Sequence, residues 1–309
     1  MSRIRYTARV RFGLTTPVLT LVPRRHAPWE AAAGVGEIRR MAETADRFGY
    51  HYLTCSEHVA IPVEVAKQRG GRYYDPYATL GFIAALTQRI RLVTHVLVLP
   101  YHHPLEVAKR IGTLDQLSGG RVVCGVGVGS LREEFELLGV DFEGRGRRYE
   151  DALRALRAAL GQREPTYHGS HFSFSGFVVD PCAMQARVPI WLGGRTPRSL
   201  RRALAFADGW DPFGFTHAKL AALLQRAQRW PEWQPRSTPF ELVFTPDRLI
   251  DVSTADQIPD VIEQVAAYQC IGATVLNLQF RHTSLQHYLD QLETFMMKVA
   301  PLFGGSAVP

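Results

Sequence analysis

The chain of 309 residues is 46% hydrophobic and carries a net charge of +7, with an isoelectric point near 9.4. Its length and apolar content allow one large core and a single domain over 1–309, a size at which parallel α/β barrels of roughly 250 residues or more are found. No apolar run of about 18 residues offers a membrane span and no amino-terminal run reads as a signal peptide; with no nucleic-acid recognition motif either, a cytoplasmic protein acting on small molecules is expected.

Taken in chain order, strand-like runs over 8–14 and 51–56 flank a helical pattern over 37–48. The second strand ends in Glu57 and His58, an acid and an imidazole side by side. The loop that follows, 60–75, holds Lys67, Arg69, Gly70, Gly71 and Arg72 and reads equally as a lid or as a solvated surface loop. A helix over 76–87 leads to a third strand over 90–97, with Thr94, His95 and Val96 near its end. The next helix, 105–117, runs into Ser118-Gly119-Gly120, glycines suited to a left-handed helix stop. A fourth strand over 121–126 enters a glycine loop of Gly125, Gly127 and Gly129, where missing Cβ atoms let backbone amides approach an anion.

After a helix over 147–160 the rhythm breaks. Residues 166–188 alternate aromatic and polar side chains and pass through Asp180-Pro181, an excursion expected to hold a small hairpin. The fifth strand, 189–192, delivers Gly193 and Gly194 directly ahead of Arg195, Thr196 and Pro197. Arg195, Arg198, Arg201 and Arg202 crowd the start of the helix over 197–206, where N–H groups and the helix dipole already favour anions; a plain tight βα turn is the other reading. Strands over 209–212, 241–245 and 274–279 and helices over 218–229, 254–267 and 284–299 complete the series, with Ser253 or Thr254 and Gln257 placed to cap the middle helix.

Eight strands alternating with helices predict a parallel sheet closed into a single TIM (β/α)8-like barrel, with the excursion between strands four and five. Such barrels keep their reactive groups at the strand C-termini, where Glu57 and His58 fall. An imidazole titrates near pH 6.5 and can give or take a proton there, although a lone strand-end histidine is more often a structural one. Lysine occurs only at 67, 109, 219 and 298, so the positive charge is arginine, explained either by codon bias or by an anionic partner. Cys55, Cys124, Cys182 and Cys270 are scattered without a CxxC pair, and Cys55, Cys124 and Cys270 are expected to be buried packing thiols. Adjacent His102 and His103 with Glu106 make a poor tetrahedral metal set, and no metal is expected. Tyr73, Tyr74, Tyr77, Tyr101, Phe213 and Phe215 would line a cavity or pack in the core.

The segment from Tyr50 to Val59, the Pro100-Tyr101-His102-His103-Pro104 stretch, the glycines at 125, 127 and 129, Trp191-Leu192-Gly193-Gly194 and Ala207-Asp208-Gly209-Trp210 occur in an order that resembles the luciferase-like monooxygenase superfamily. The closer likeness is to its deazaflavin (coenzyme F420) branch. The resemblance implies a homodimeric oxidoreductase that transfers a hydride between reduced coenzyme F420 and an organic small molecule. Its alternatives are an FMN-dependent monooxygenase using O2 and a non-catalytic flavin-binding barrel. Carried over residue by residue, it puts His58 near the reactive face of the ring and Glu57 near its pyrimidine side, as the catalytic pair. It assigns Thr94, His95, Val96, Gly127 and Gly129 to the cofactor, with a non-proline cis peptide at His95-Val96. Gly193, Gly194, Arg195 and Thr196 would hold the ribityl and phosphate groups. Glu57 stands where Asp is commoner in the deazaflavin branch. His95 stands where small residues are commoner, either as a second polar group in the pocket or as an incidental substitution. The arginines favour the deazaflavin, whose acidic oligoglutamate tail they would meet, whereas FMN ends at its phosphate.

Overall fold

The computed structural model describes residues 9–233 and 239–304; Ala8, included in the first expected strand, and most of the amino-terminal stretch read for a signal lie outside them. Short aliphatic and β-branched runs form strands β1 (Arg11–Leu14), β2 (Tyr52–Cys55), β3 (Arg91–Thr94), β4 (Leu97–Val98), β5 (Val122–Gly127), β6 (Tyr167–His168), β7 (Ser173–Phe174), β8 (Ile190–Gly194), β9 (Gly209–Pro212), β10 (Glu241–Phe244) and β11 (Val275–Leu278). Eight parallel staves close in the order β1-β2-β3-β5-β8-β9-β10-β11 and back to β1. Strand β4 continues β3 beyond the His95-Val96 peptide, which is cis, and pairs with β5. The expected excursion is the antiparallel hairpin β6–β7.

Helices α1 (Val35–Arg47), α2 (Val63–Arg69), α3 (Pro76–Leu86), α4 (Pro104–Ser118), α5 (Arg132–Leu137), α6 (Arg145–Ala159), α7 (Pro197–Phe206), α8 (His217–Ala227), α9 (Ile258–Cys270) and α10 (Leu285–Lys298) connect the staves. Their ends follow local chemistry. Asp75 accepts from Ala78 N–H ahead of Pro76 at the start of α3, and Gly119, at φ 68°, ends α4 in the left-handed conformation expected of it.

The barrel interior shows why small residues sit where they do. Tyr52, Val93, Val123, Trp191, Val243 and Val275, one from each of six strands, form a buried inner cluster. Tyr52 and Trp191 meet edge to face, ring centres 5.5 Å apart. The strands without a member supply glycine instead: a Cβ on Gly13 of β1 would lie 2.2 Å from the Tyr52 ring, and one on Gly209 of β9 would lie 2.6 Å from Trp191. Large and small residues thus fill the narrow interior together. Burying each aliphatic or aromatic side chain contributes about 1.5–3 kcal/mol, and Gly13→Val would break this layer by displacing Tyr52.

Four expectations change. Strand β5 runs one residue past the expected end and takes in Gly127, and Gly125 inside it must be glycine because a Cβ there would lie 1.9 Å from the Thr94 carbonyl oxygen on β3. Thr254 N–H does bond to Gln257, but α9 starts only at Ile258, after a turn. Loop 60–75 contains the short helix α2. Cys55 and Cys124 are buried, and burial pushes each thiol up to about 12, whereas Cys270 on the last turn of α9 is exposed, contrary to the packing role expected of it.

Candidate active site

The C-terminal ends of the staves open into a cavity of about 790 Å³, whose wall includes Glu57, His58, His95, Val96, Gly127, Gly129, Gly193, Gly194, Arg195 and Thr196. Strand β2 sends Ser56, Glu57 and His58 into it, and each is held differently. Ser56 Oγ donates to the His95 carbonyl at 2.8 Å. Glu57 is buried: Oε2 accepts from Val98 N–H at 2.6 Å, and Oε1 lies 2.7 Å from His102 Nε2. Burial works against a charged His102, yet the hydrogen bond and charge of Glu57 outweigh it and hold the imidazole above its ordinary value. Both Glu57 oxygens therefore brace β4 and the turn before α4.

His58 belongs to a second cluster. Its Nδ1 lies 2.7 Å from Glu134 Oε2, and its ring packs edge-on to Tyr73 at 4.5 Å. Glu134, fully buried on α5, also accepts from Tyr101 OH at 2.9 Å and from Val59 and Ala60 N–H at 2.6 and 3.2 Å. Burial alone would raise the Glu134 carboxyl, but these donors, His58 first, hold it below its usual range. An ionised acceptor requires Nδ1 to carry a proton, which leaves Nε2 as the ring nitrogen without a partner among the described residues.

A third pair lies at the floor. His95 Nε2 is 2.9 Å from Asp211 Oδ2 at the end of β9. Burial opposes its charged form, but the charge and hydrogen bond of Asp211 raise it above the ordinary histidine value. Asp211 Oδ1 is buried with no hydrogen-bond partner among the described residues. Beside it, Val96 packs where Cβ atoms on Gly127 and Gly193 would lie 2.6 and 3.1 Å from its methyls. The result is a smooth apolar wall backed by two glycines.

The rim at β5 and β8 is a backbone cradle. Gly194 adopts φ +147°, and a Cβ there would meet Ser199 at 2.4 Å. Thr196 caps α7 by accepting from Ser199 N–H at 3.3 Å, while Ser199 Oγ donates to the Thr196 carbonyl at 2.7 Å and accepts from Trp210 Nε1 at 3.0 Å. Arg145 donates to the Gly129 carbonyl at 3.3 Å and stacks 3.5 Å over Phe142. The arginine group at α7 is less uniform than its spacing predicts. Arg195 lines the cavity, but Arg202 pairs with Glu150 at 2.6 Å and Arg201 with Glu232 at 2.5 Å.

Thr94 is the assigned cofactor residue that does not reach the cavity. It is completely buried on β3 and donates to the Gly125 carbonyl at 2.8 Å; alternation puts it on the face opposite Val93, which lies in the inner cluster. Sequence reasoning named Tyr101 only as a cavity or core aromatic, and it missed Glu134, Asp211 and Arg145. Asp211 did carry a signal, an acid at a strand C-terminus; Glu134 carried none, lying 76 residues from His58 in a charged helix.

Residues 16–245 match the model of a family described as luciferase-like monooxygenase. An uncharacterized protein of Mycobacterium tuberculosis is 31% identical over 214 residues, 65% of this chain and 74% of that protein. Two solved structures share the fold at low identity. A coenzyme F420-dependent tetrahydromethanopterin reductase from Methanopyrus kandleri has a TM-score of 0.67 at 17% identity, covering 96% of this chain and 100% of that one. The oxygenating constituent of a 3,6-diketocamphane monooxygenase from Pseudomonas putida, in complex with FMN, has a TM-score of 0.72 at 15% identity, covering 95% and 98%.

Proposed function

The chain belongs to the luciferase-like monooxygenase family, and we propose that it is an oxidoreductase moving a hydride between reduced coenzyme F420 and an organic small molecule, with His58 handling the accompanying proton. The observation that carries this reading is the His58–Glu134 pair, its Nε2 open to the same cavity as the glycine cradle. The cavity also suits a flat ring system with a phosphate arm: the Val96 wall has no Cβ at Gly127 or Gly193, and Asp211 Oδ1 awaits a donor. Bound at this site, the cofactor supplies two-electron hydride chemistry.

The remaining steps belong to the protein. Gly193, Gly194 and Thr196 bind the ribityl and phosphate groups through backbone at a helix start. Glu134 fixes the His58 tautomer, so Nε2 accepts a proton from substrate in one direction and returns it in the other. Glu57, committed to Val98 and His102, positions the β4 wall. Arg195 has no carboxylate partner among the described residues and extends the anion site outward, which favours a cofactor with an acidic tail over FMN. The same reading takes 1–309 as one domain, acting in the cytoplasm as a homodimer, which light scattering of the purified protein tests.

A side-by-side titration with coenzyme F420 and FMN decides the cofactor. Selective deazaflavin binding is expected. Selective FMN binding would move the chemistry to oxygen-dependent monooxygenation, and binding of neither would remove the cradle assignment.

A further inference from the structure

Five arginines, Arg25, Arg69, Arg145, Arg195 and Arg202, reach the cavity, against three carboxylates, Glu30, Glu57 and Asp211. None of the three acids neutralises an arginine. Glu30 accepts from Val18 and Ala27 N–H at 3.0 and 2.7 Å, Glu57 braces Val98 and His102, and Asp211 faces His95 deep at the floor. Arg202 has Glu150; among the described residues no carboxylate lies within ion-pair distance of the other four.

Those four form two groups. Arg145 and Arg195 flank the glycine cradle at β5 and β8. Arg25 follows β1, and Arg69 ends α2 after β2. In the ring of eight staves β3 lies between β1 and β2, which precede the second group, and β5 and β8, which carry the cradle. A phosphate in the cradle neutralises only the near group.

The far group sits on a built platform. The segment after β1 and the segment after α2 are sewn together by an antiparallel bridge between Thr20 and Tyr73 and by Leu21 N–H to Arg72 O and Tyr74 N–H to Leu19 O. Arg72 ties the platform down by donating to the Glu30 and Ala31 carbonyls at 3.0 and 2.7 Å. The fit is close: a Cβ on Gly70 would lie 1.8 Å from the Leu21 carbonyl oxygen. Arg69 is joined to the reacting side through Tyr73, whose OH donates to the Arg69 carbonyl at 3.0 Å and whose ring packs edge-on to His58. Arg25 and Arg69 are both exposed at the cavity mouth, so each guanidinium can offer an oxyanion a charge-assisted hydrogen bond with no protein carboxylate competing for it.

We propose that Arg25 and Arg69 form a recognition site for a terminal oxyanion, carboxylate or phosphate monoester, of the substrate, so that the enzyme acts on anionic small molecules held under the β1–α2 platform beside His58. The proposal rests on reading His58 as the reacting side. The same oxyanion chemistry could come from the acidic tail of the cofactor, and the test separates the two sources.

Hexyl phosphate, hexanoate and 1-hexanol are titrated into the cofactor-loaded protein by deazaflavin fluorescence, and into the cofactor-free protein by calorimetry. The anions are expected to bind about tenfold or more tighter than the alcohol at low salt, the scale of one charge-assisted hydrogen bond. The R25Q/R69Q double variant, with thermal unfolding as a fold control, should lose that preference in the cofactor-loaded series and, with the cradle arginines also removed by R145Q/R195Q, in the cofactor-free series, while R25Q/R69Q alone binds coenzyme F420 as wild type does. R195Q should keep the preference and weaken the cofactor. Equal binding of anions and alcohol by wild type would overturn the proposal. So would a double variant whose loss of coenzyme F420 affinity grows with the number of glutamates in the tail. The cofactor-free series stands even if no flavin-type cofactor binds, so failure of the functional reading is distinguishable from failure of this one.

Discussion

The two sides of the cavity are built from different materials. At β5 and β8 the wall is backbone: Gly127, Gly193 and Gly194 are tolerated there because Val96 and Ser199 occupy the space a side chain would need. At β2 it is side chains: His58, Glu134 and Tyr101 converge from a strand end, a short helix and the turn before α4. A backbone wall suits a ligand part that is always the same and needs only shape and amide donors. A side-chain wall can hold and move a proton, because its groups change charge.

The sharpest break in that contrast is His58→Ala. It should lower kcat by about 10²- to 10⁴-fold, the usual range for a general acid–base group, with cofactor Kd near wild type by fluorescence titration. A change confined to Kd would make His58 part of the binding wall instead.

Glu134→Gln is the next largest. The amide oxygen can still accept from Val59 and Ala60, but its NH2 opposes the Nδ1–H of His58. The tautomer should invert, with kcat falling about 10- to 100-fold, as for other groups that orient an acting histidine. A pH–rate profile unchanged from wild type would show that Glu134 only supports the fold.

On the backbone side, Gly194→Ala forces a side chain into φ +147° and against Ser199, at a cost of about 1–3 kcal/mol. Weaker cofactor binding and a lowered Tm are expected, with kcat at saturating cofactor largely kept. Loss of kcat alone would place Gly194 on the reacting side.

The smallest effect is pH-linked stability at His102. Its folded-state value is raised by Glu57, so the pair stabilises most below the ordinary histidine value near 6.5, and that stability is lost as pH rises through the higher folded value. The Tm gap between wild type and His102→Gln should therefore be wide at low pH and narrow in alkali. A gap that widens with pH would reverse the assignment.

Much of the fold is legible because its signals are local. Alternating strand and helix patterns, Asp75 before Pro76, and Gly119 after α4 each act within a few residues. The glycines of the cradle are legible for the same reason, since a missing Cβ is a property of one position. The partners are not. Glu134 looks like any acid of a charged helix until barrel closure brings α5 over the end of β2, and Thr94 looks like a wall residue until the folded sheet commits its hydroxyl to the Gly125 carbonyl.

The sequence by itself determined the barrel, the strand-end Glu57 and His58, and the glycine segments, because periodicity and glycine conformational freedom are written in adjacent residues. Only the tertiary structure decided which acid each histidine meets: Glu57 with His102, His58 with Glu134, His95 with Asp211. Those pairings depend on closure of the barrel, which brings side chains distant in the chain into hydrogen-bonding distance of one another.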